Sequence, residues 1–104
     1  MDTLHFSQFL HPIVQALREG GESLTQVEMV DAVDRIMCLP EAVMERRHAR
    51  YSMVREFDYC LALAQAYLKK VGYLTRSIPG VWILMAEGKA IDAVDETTGV
   101  LEVQ

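Results

Sequence analysis

Long apolar segments are absent from this sequence of 104 residues. A membrane-spanning helix needs roughly 18 or more consecutive apolar residues, and no stretch approaches that length. The first residues, Met1 to His5, also lack the basic start and the apolar stretch of a secretory signal. We therefore expect a cytoplasmic protein that has no contact with a membrane.

Cysteine is scarce, and the residue patterns of catalytic sites are missing. Cys38 and Cys60 lie in apolar sequence without partners at metal-ligand spacing, so we interpret them as buried free thiols in a reducing compartment. The histidines show neither metal spacing nor an acidic partner. The segment Glu87-Gly88-Lys89 resembles the end of a nuclease motif, but the nearest earlier carboxylate, Asp58, falls in a predicted helix. We predict no cofactor, no metal and no enzymatic activity.

Positive charge is in deficit over the whole chain, which has a formal net charge of -5. Nucleic-acid binders are usually basic, so the total argues against DNA. The distribution weakens that objection, because residues 46–91 contain eight basic and three acidic groups, for a net of +5. Residues 1–45 have a net of -6 and residues 92–104 a net of -4. A basic centre lies between two acidic ends.

The composition indicates one globular domain. Hydrophobic residues make up 51% and charged residues 24% of the chain, values that suit a folded protein and argue against disorder. No linker, repeat or low-complexity tract interrupts the sequence. We assign residues 1–95 to the domain and residues 96–104 to an acidic tail.

Hydrophobic spacing predicts two helices in the first part of the chain. The first runs from about His11 to Glu19 and ends at a pair of glycines. The second begins with a capping box, in which Thr25 is the N-cap and Glu28 reaches back to it, and closes at Leu39-Pro40. The short stretch before this helix, residues 22–24, is a candidate for a short strand that joins a sheet.

A helical turn and a loop are predicted over residues 40–52, followed by the longest helix over residues 53–71. Its apolar side comprises Phe57, Cys60, Leu61, Ala64, Leu68 and Val71. Its opposite face comprises Arg55, Tyr59, Ala62, Ala66, Lys69 and Lys70. Small residues at the centre of that face allow a partner to approach closely.

Two strands, residues 73–76 and 81–84, predict a β-hairpin with its turn at residues 77–80. Trp82 should lie in the core, and a last helix is predicted over residues 86–94. The order of elements predicts an α+β winged helix, with a helix-turn-helix core and the hairpin as its wing. In that fold the third helix faces the DNA major groove.

Several segments, taken together, resemble the N-terminal winged-helix domain of Mrr-type restriction endonucleases. They are residues 9–17, residues 66–74, the stretch Pro79-Gly80-Val81-Trp82-Ile83, and Glu87-Gly88. The resemblance covers about residues 6–91. It implies a module that helps DNA binding, while a separate C-terminal domain cuts the DNA. Since the chain stops where the nuclease would begin, we expect DNA recognition without cleavage.

The chain departs from that family pattern at positions that face DNA. Cys60, Leu63 and Gln65 stand where arginines and a tryptophan are expected in the third helix. Ile78-Pro79 replaces a basic wing tip, and Met85 replaces a threonine before the last helix. These departures predict a reduced affinity for DNA. Base edges are read by Arg, Asn, Gln and similar groups, so Tyr59, Ala62 and Ala66 at the centre of the exposed face predict weak discrimination between DNA sequences.

We therefore predict a non-catalytic module that binds double-stranded DNA. The candidate DNA-binding residues are Arg46, Arg47, Arg50, Arg55, Tyr59, Lys69, Lys70 and Arg76. The alternative is a protein-interaction or dimerisation module on the same scaffold, favoured by the acidic ends and the alanine-lined helix. A homodimer is also predicted, with the last helix and the tail packed against a second copy.

Overall fold

The structure is a computed structural model, and it describes residues 4–86. A 3₁₀ helix, Phe6–Phe9, leads directly into the first α-helix. The remaining elements, in chain order, are α1 (Leu10–Glu19), β1 (Ser23–Thr25), α2 (Gln26–Met37), α3 (Glu41–Met44), α4 (Glu56–Lys70), β2 (Leu74–Ile78) and β3 (Val81–Leu84). The predicted last helix, the Glu87-Gly88-Lys89 segment and the acidic tail lie outside the described residues.

The three strands form one antiparallel sheet in the order β1-β3-β2. Strand β3 is central, with Trp82 opposite Leu24 of β1. The β2–β3 pair is the predicted hairpin, although β2 extends to Ile78 and its register shifts between Thr75 and Ile78. Helices and a small antiparallel sheet in this order confirm the predicted α+β class and fit a winged helix.

Local capping fixes where α2 begins and ends. The Thr25 hydroxyl accepts from the backbone N–H of Glu28 at 3.1 Å, and the Glu28 carboxylate accepts from the backbone N–H of Thr25 at 2.9 Å, which confirms the capping box. The helix ends at Cys38, which has a left-handed φ of 51°, so the predicted end at Leu39-Pro40 is slightly late. Cys38 is consequently exposed, and the prediction that it is buried was wrong.

Helix α4 starts later than predicted, because residues 46–55 form a closed loop. The backbone N–H of His48 donates to the Val54 carbonyl at 2.8 Å, and Arg47 pairs with Arg55 in an antiparallel bridge. The Val54 backbone is used in the loop, where its N–H also donates to the Tyr51 carbonyl at 2.9 Å, and regular helix begins at Glu56. We call residues 46–55 the basic loop.

The far end of α4 also corrects the sequence pattern. Regular helix stops at Lys70, and Gly72 has a φ of 89°. Val71 no longer follows the helical step, and 39% of it is exposed, so its predicted burial was wrong. Phe57, Leu61, Leu68 and Trp82 do lie in one buried core cluster, as predicted.

Helices α2 and α4 are separated by 18 residues, Cys38 to Arg55. The turn of a compact helix-turn-helix has only three or four residues. The additional residues here form α3 and the basic loop, and the loop lies next to the N-terminal end of α4. No helix within residues 4–86 is long and apolar enough to cross a bilayer.

Candidate nucleic-acid interface

One face of α4 is left uncovered by the rest of the described structure. Successive helical residues are about 100° apart, which places Tyr59, Ala62, Ala66, Lys69 and Lys70 within one stripe. Both alanines and both lysines are exposed, and Tyr59 is half-buried. We call these five residues the α4 stripe. Its centre is nearly flat because neither alanine extends beyond Cβ.

Three of the predicted site residues lie near the C-terminal end of the stripe. Lys69 and Lys70 occupy the last turn of α4, and Arg76 lies on strand β2. The Arg76 guanidinium lies 4.7 Å from the centre of the Trp82 ring, a cation–π contact. Within residues 4–86, none of these three cations forms an ion pair with a carboxylate. No acid among the described residues therefore neutralises their charge.

An open cleft of about 350 Å³ lies between this part of α4, the start of α2 and the hairpin. It is lined by Gln26, Ala62, Gln65, Ala66, Lys69, Arg76 and Trp82. The Trp82 indole Nε1–H donates to Gln26 Oε1 at 2.7 Å, and Gln65 Nε2 donates to the same oxygen at 3.1 Å. Sequence reasoning missed Gln26, because nothing in the helical pattern of α2 shows that its first residue faces α4.

Two other predicted site residues, Arg46 and Arg55, are held by acids at the N-terminal end of α4. Arg55 forms a bidentate pair with Asp58, with distances of 2.8 and 3.0 Å, and Arg46 lies 3.3 Å from Glu56. The hydrogen bonds to Asp58 raise the pKa of Arg55, the negative charges of Asp58 and Asp34 add to this, and burial opposes it. These arginines contribute less free positive charge than the sequence alone indicated.

An aromatic cluster joins the basic loop to Tyr59 of α4, another of the predicted site residues. The His48 ring packs on Tyr59, with ring centres 3.9 Å apart, and on Tyr51, with ring centres 5.2 Å apart. His48 Nδ1 accepts from the backbone N–H groups of Arg50 and Tyr51 at 3.0 and 3.1 Å. Tyr59 therefore supports the loop as well as lining the stripe.

The exposed arginines of this loop have mainly backbone and ring contacts. Arg47 donates to the Met53 carbonyl at 3.4 Å, and the Arg50 guanidinium lies 6.0 Å from the centre of the Tyr51 ring. Arg55 and Lys69 are 14 residues apart, or about 21 Å along a helix. The structure thus divides the eight predicted residues into two groups, one at each end of the stripe.

The described residues offer little to a reaction. Burial, with a smaller contribution from the charge of Glu56, raises the pKa of the Cys60 thiol to about 11, so it is protonated near neutral pH. Within residues 4–86, no three His, Cys, Asp or Glu side chains are grouped closely enough to hold a metal ion.

Fold and surface together define an α+β domain, compatible with a winged helix, that has cations at both ends of an exposed helix. The chain belongs to the family of Mrr N-terminal domains, whose model matches residues 6–93. This confirms the resemblance found in the sequence. Neither the curated proteins nor the solved structures contain a significant match to the chain.

Proposed function

We propose that this chain is a non-catalytic module that binds double-stranded DNA through α4 and the hairpin. The observation that carries the proposal is the group Lys69, Lys70 and Arg76, which surrounds the exposed end of α4 without an acidic partner in the described structure. Cations that are not engaged in a local ion pair can bind phosphates. Phosphate contacts supply most of the affinity of weakly specific DNA binding.

The spacing of the two basic groups supports the same partner. The major groove is about 12 Å wide and admits one α-helix. A helix lying in it would place Lys69, Lys70 and Arg76 near one phosphate strand, and Arg47 and Arg50 of the basic loop about 20 Å away, near a second stretch of backbone. Ala62 and Ala66 would face the groove floor without steric hindrance.

Two observations support the absence of catalysis in this module. The family match concerns the N-terminal domain of Mrr proteins, which suggests a module associated with a restriction endonuclease. The Cys60 thiol, with its pKa near 11, is a poor nucleophile at neutral pH.

The test is fluorescence anisotropy of a labelled random duplex at low salt. We expect Lys69→Ala combined with Lys70→Ala to weaken binding about tenfold or more, uniformly across sequences. The matched control removes two positive charges elsewhere, by Arg18→Ala at the end of α1 and Arg35→Ala next to Glu19. Equal losses in the two double variants would contradict a contact at α4, because total charge alone would then explain the effect.

A protein-interaction module is the second candidate, and exposed apolar side chains favour it. Val27 at the start of α2 is 71% exposed, and Ile78 at the end of β2 is 60% exposed. Single exposed apolar residues are common on protein surfaces, so this observation is weaker support than the cations that have no acidic partner within residues 4–86. No binding to duplex DNA at low salt, together with a homodimer in light scattering, would favour this candidate.

A further inference from the structure

The hydrogen-bonded amides beside the cleft have a defined orientation. An indole N–H is only a donor, so the atom 2.7 Å from Trp82 Nε1 must be the acceptor oxygen of Gln26. Gln65 approaches that same oxygen at 3.1 Å, so its nearer atom must be the donor nitrogen, Nε2. The tryptophan thereby determines which way both glutamine amides face.

This orientation leaves one donor group and one acceptor without a partner in the part of the chain that the structure describes. Within residues 4–86, no acceptor receives a hydrogen bond from Gln26 Nε2, and no donor reaches Gln65 Oε1. Gln65 is only 3% exposed, and its Nε2 makes a second contact with Met29 Sδ at 2.9 Å, so the side chain is held in place. A carbonyl in such a position gains free energy from a ligand that donates to it.

The pair of free groups discriminates between classes of ligand. A phosphate oxygen accepts hydrogen bonds, which suits Gln26 Nε2 but leaves Gln65 Oε1 unmatched. A nucleobase edge offers both kinds of group, and in the major groove adenine presents the N6 amino donor next to the N7 acceptor. Guanine presents two acceptors there.

We propose that Gln26 and Gln65, oriented by Trp82, read a single base in the major groove, with preference for adenine. This inference rests on the proposed DNA binding and assigns its specificity to residues beside the α4 stripe. Ala62 and Ala66 allow the groove floor to approach the cleft that they line, and Lys69 and Arg76 at the same cleft hold the neighbouring phosphates. One base read in this way agrees with weak overall sequence discrimination.

The experiment selects bound duplexes from a random library and sequences them, for the wild type and for Gln26→Glu. The carboxylate still accepts from Trp82 and Gln65, and a negative charge suits the first turn of a helix, so the fold is retained. It lacks the donor for adenine N7. We expect the wild type to enrich adenine about tenfold at one position, and Gln26→Glu to lose that enrichment.

The matched control is Gln8→Glu, which makes the same charge change. Its carboxylate keeps the acceptor for the backbone N–H of His5, which Gln8 Oε1 now binds at 2.9 Å. This control should bind DNA slightly more weakly while retaining the adenine preference. Ala66→Leu is a second cleft variant. Its larger side chain covers the glutamines with only a small loss of helix propensity, and it should also lose the preference.

The outcomes separate the inference from the proposed function. The recognition of adenine by the glutamines is overturned if the wild type binds with no base preference at any position. It is also overturned if Gln26→Glu and Ala66→Leu both retain the preference. Both results leave the proposed DNA binding intact. A wild type that fails to bind any duplex at low salt overturns both. Near-ultraviolet circular dichroism of the Trp82 environment identifies a variant that has not folded.

Discussion

Replacing Trp82 by alanine tests whether the hairpin is packed into the core as described. Trp82 is 5% exposed in the central strand β3, and it belongs to the same buried cluster as Phe57, Leu61 and Leu68. Truncation of a buried tryptophan costs roughly 3–5 kcal/mol in transfer and cavity free energy. Domains of this size have total stabilities of about 5–15 kcal/mol, so Trp82→Ala should be close to unfolding or strongly destabilised.

Trp82→Phe separates the hydrogen bond from most of the apolar packing. Phenylalanine retains a ring but loses the indole N–H that donates to Gln26 Oε1 at 2.7 Å. A typical hydrogen bond contributes about 0.5–1.5 kcal/mol, and the smaller ring adds a packing loss. We expect a total cost of about 1–3 kcal/mol, intermediate between the wild type and Trp82→Ala.

Urea unfolding followed by far-ultraviolet circular dichroism is the suitable assay, because Trp82 is the only tryptophan and its fluorescence would be lost. The control is Met53→Ala in the basic loop, where the side chain is 89% exposed and the expected change is within about 0.5 kcal/mol. A Trp82→Ala variant within about 1 kcal/mol of the wild type would refute the packing of the hairpin on the helices.

Three further predictions concern capping, pH and association. Thr25→Ala should lower the free energy of unfolding in urea by about 0.5–2 kcal/mol, whereas Thr25→Ser should retain the cap. Folding raises the Cys60 pKa from 9.0 to about 11, so the free energy of unfolding should fall by at most about 3 kcal/mol as pH rises through that interval. A slope unchanged in Cys60→Ala would contradict this. Light scattering should show a dimer for the full chain and a monomer for residues 1–95, and monomers in both would end the dimer hypothesis.

The features that the sequence predicted well are those set by local chemistry and hydrophobic period. Thr25 and Glu28 form the capping box of α2, a pattern that spans four residues and is therefore recognisable from local sequence. The burial of Phe57, Leu61 and Leu68 follows from a helical spacing of three and four residues. The hairpin around Gly80 followed from turn residues between two short β-prone segments.

The features that the sequence did not predict depend on contacts between distant residues. The sequence indicates an ordinary polar helix position at Gln65. The residue is nevertheless buried, and its amide contacts Gln26, 39 residues away, and Met29. The sequence indicates that Arg55 is a cation available to DNA. At the start of the helix, however, its Nε lies 2.8 Å from Asp58 Oδ2. Such pairings can be recognised only once the fold is known. The structure therefore corrected the predicted binding surface more than it corrected the predicted architecture.

The salt dependence of binding to random duplex DNA tests the central claim most directly. Each phosphate contact releases condensed counterions, so the logarithm of the association constant should fall with the logarithm of salt concentration by about 0.9 per phosphate contacted. We predict a steep slope for the wild type, and a slope smaller by up to about two units when Lys69→Ala and Lys70→Ala are combined. A wild-type slope near zero, or a slope that the double variant leaves unchanged, would contradict DNA binding through α4.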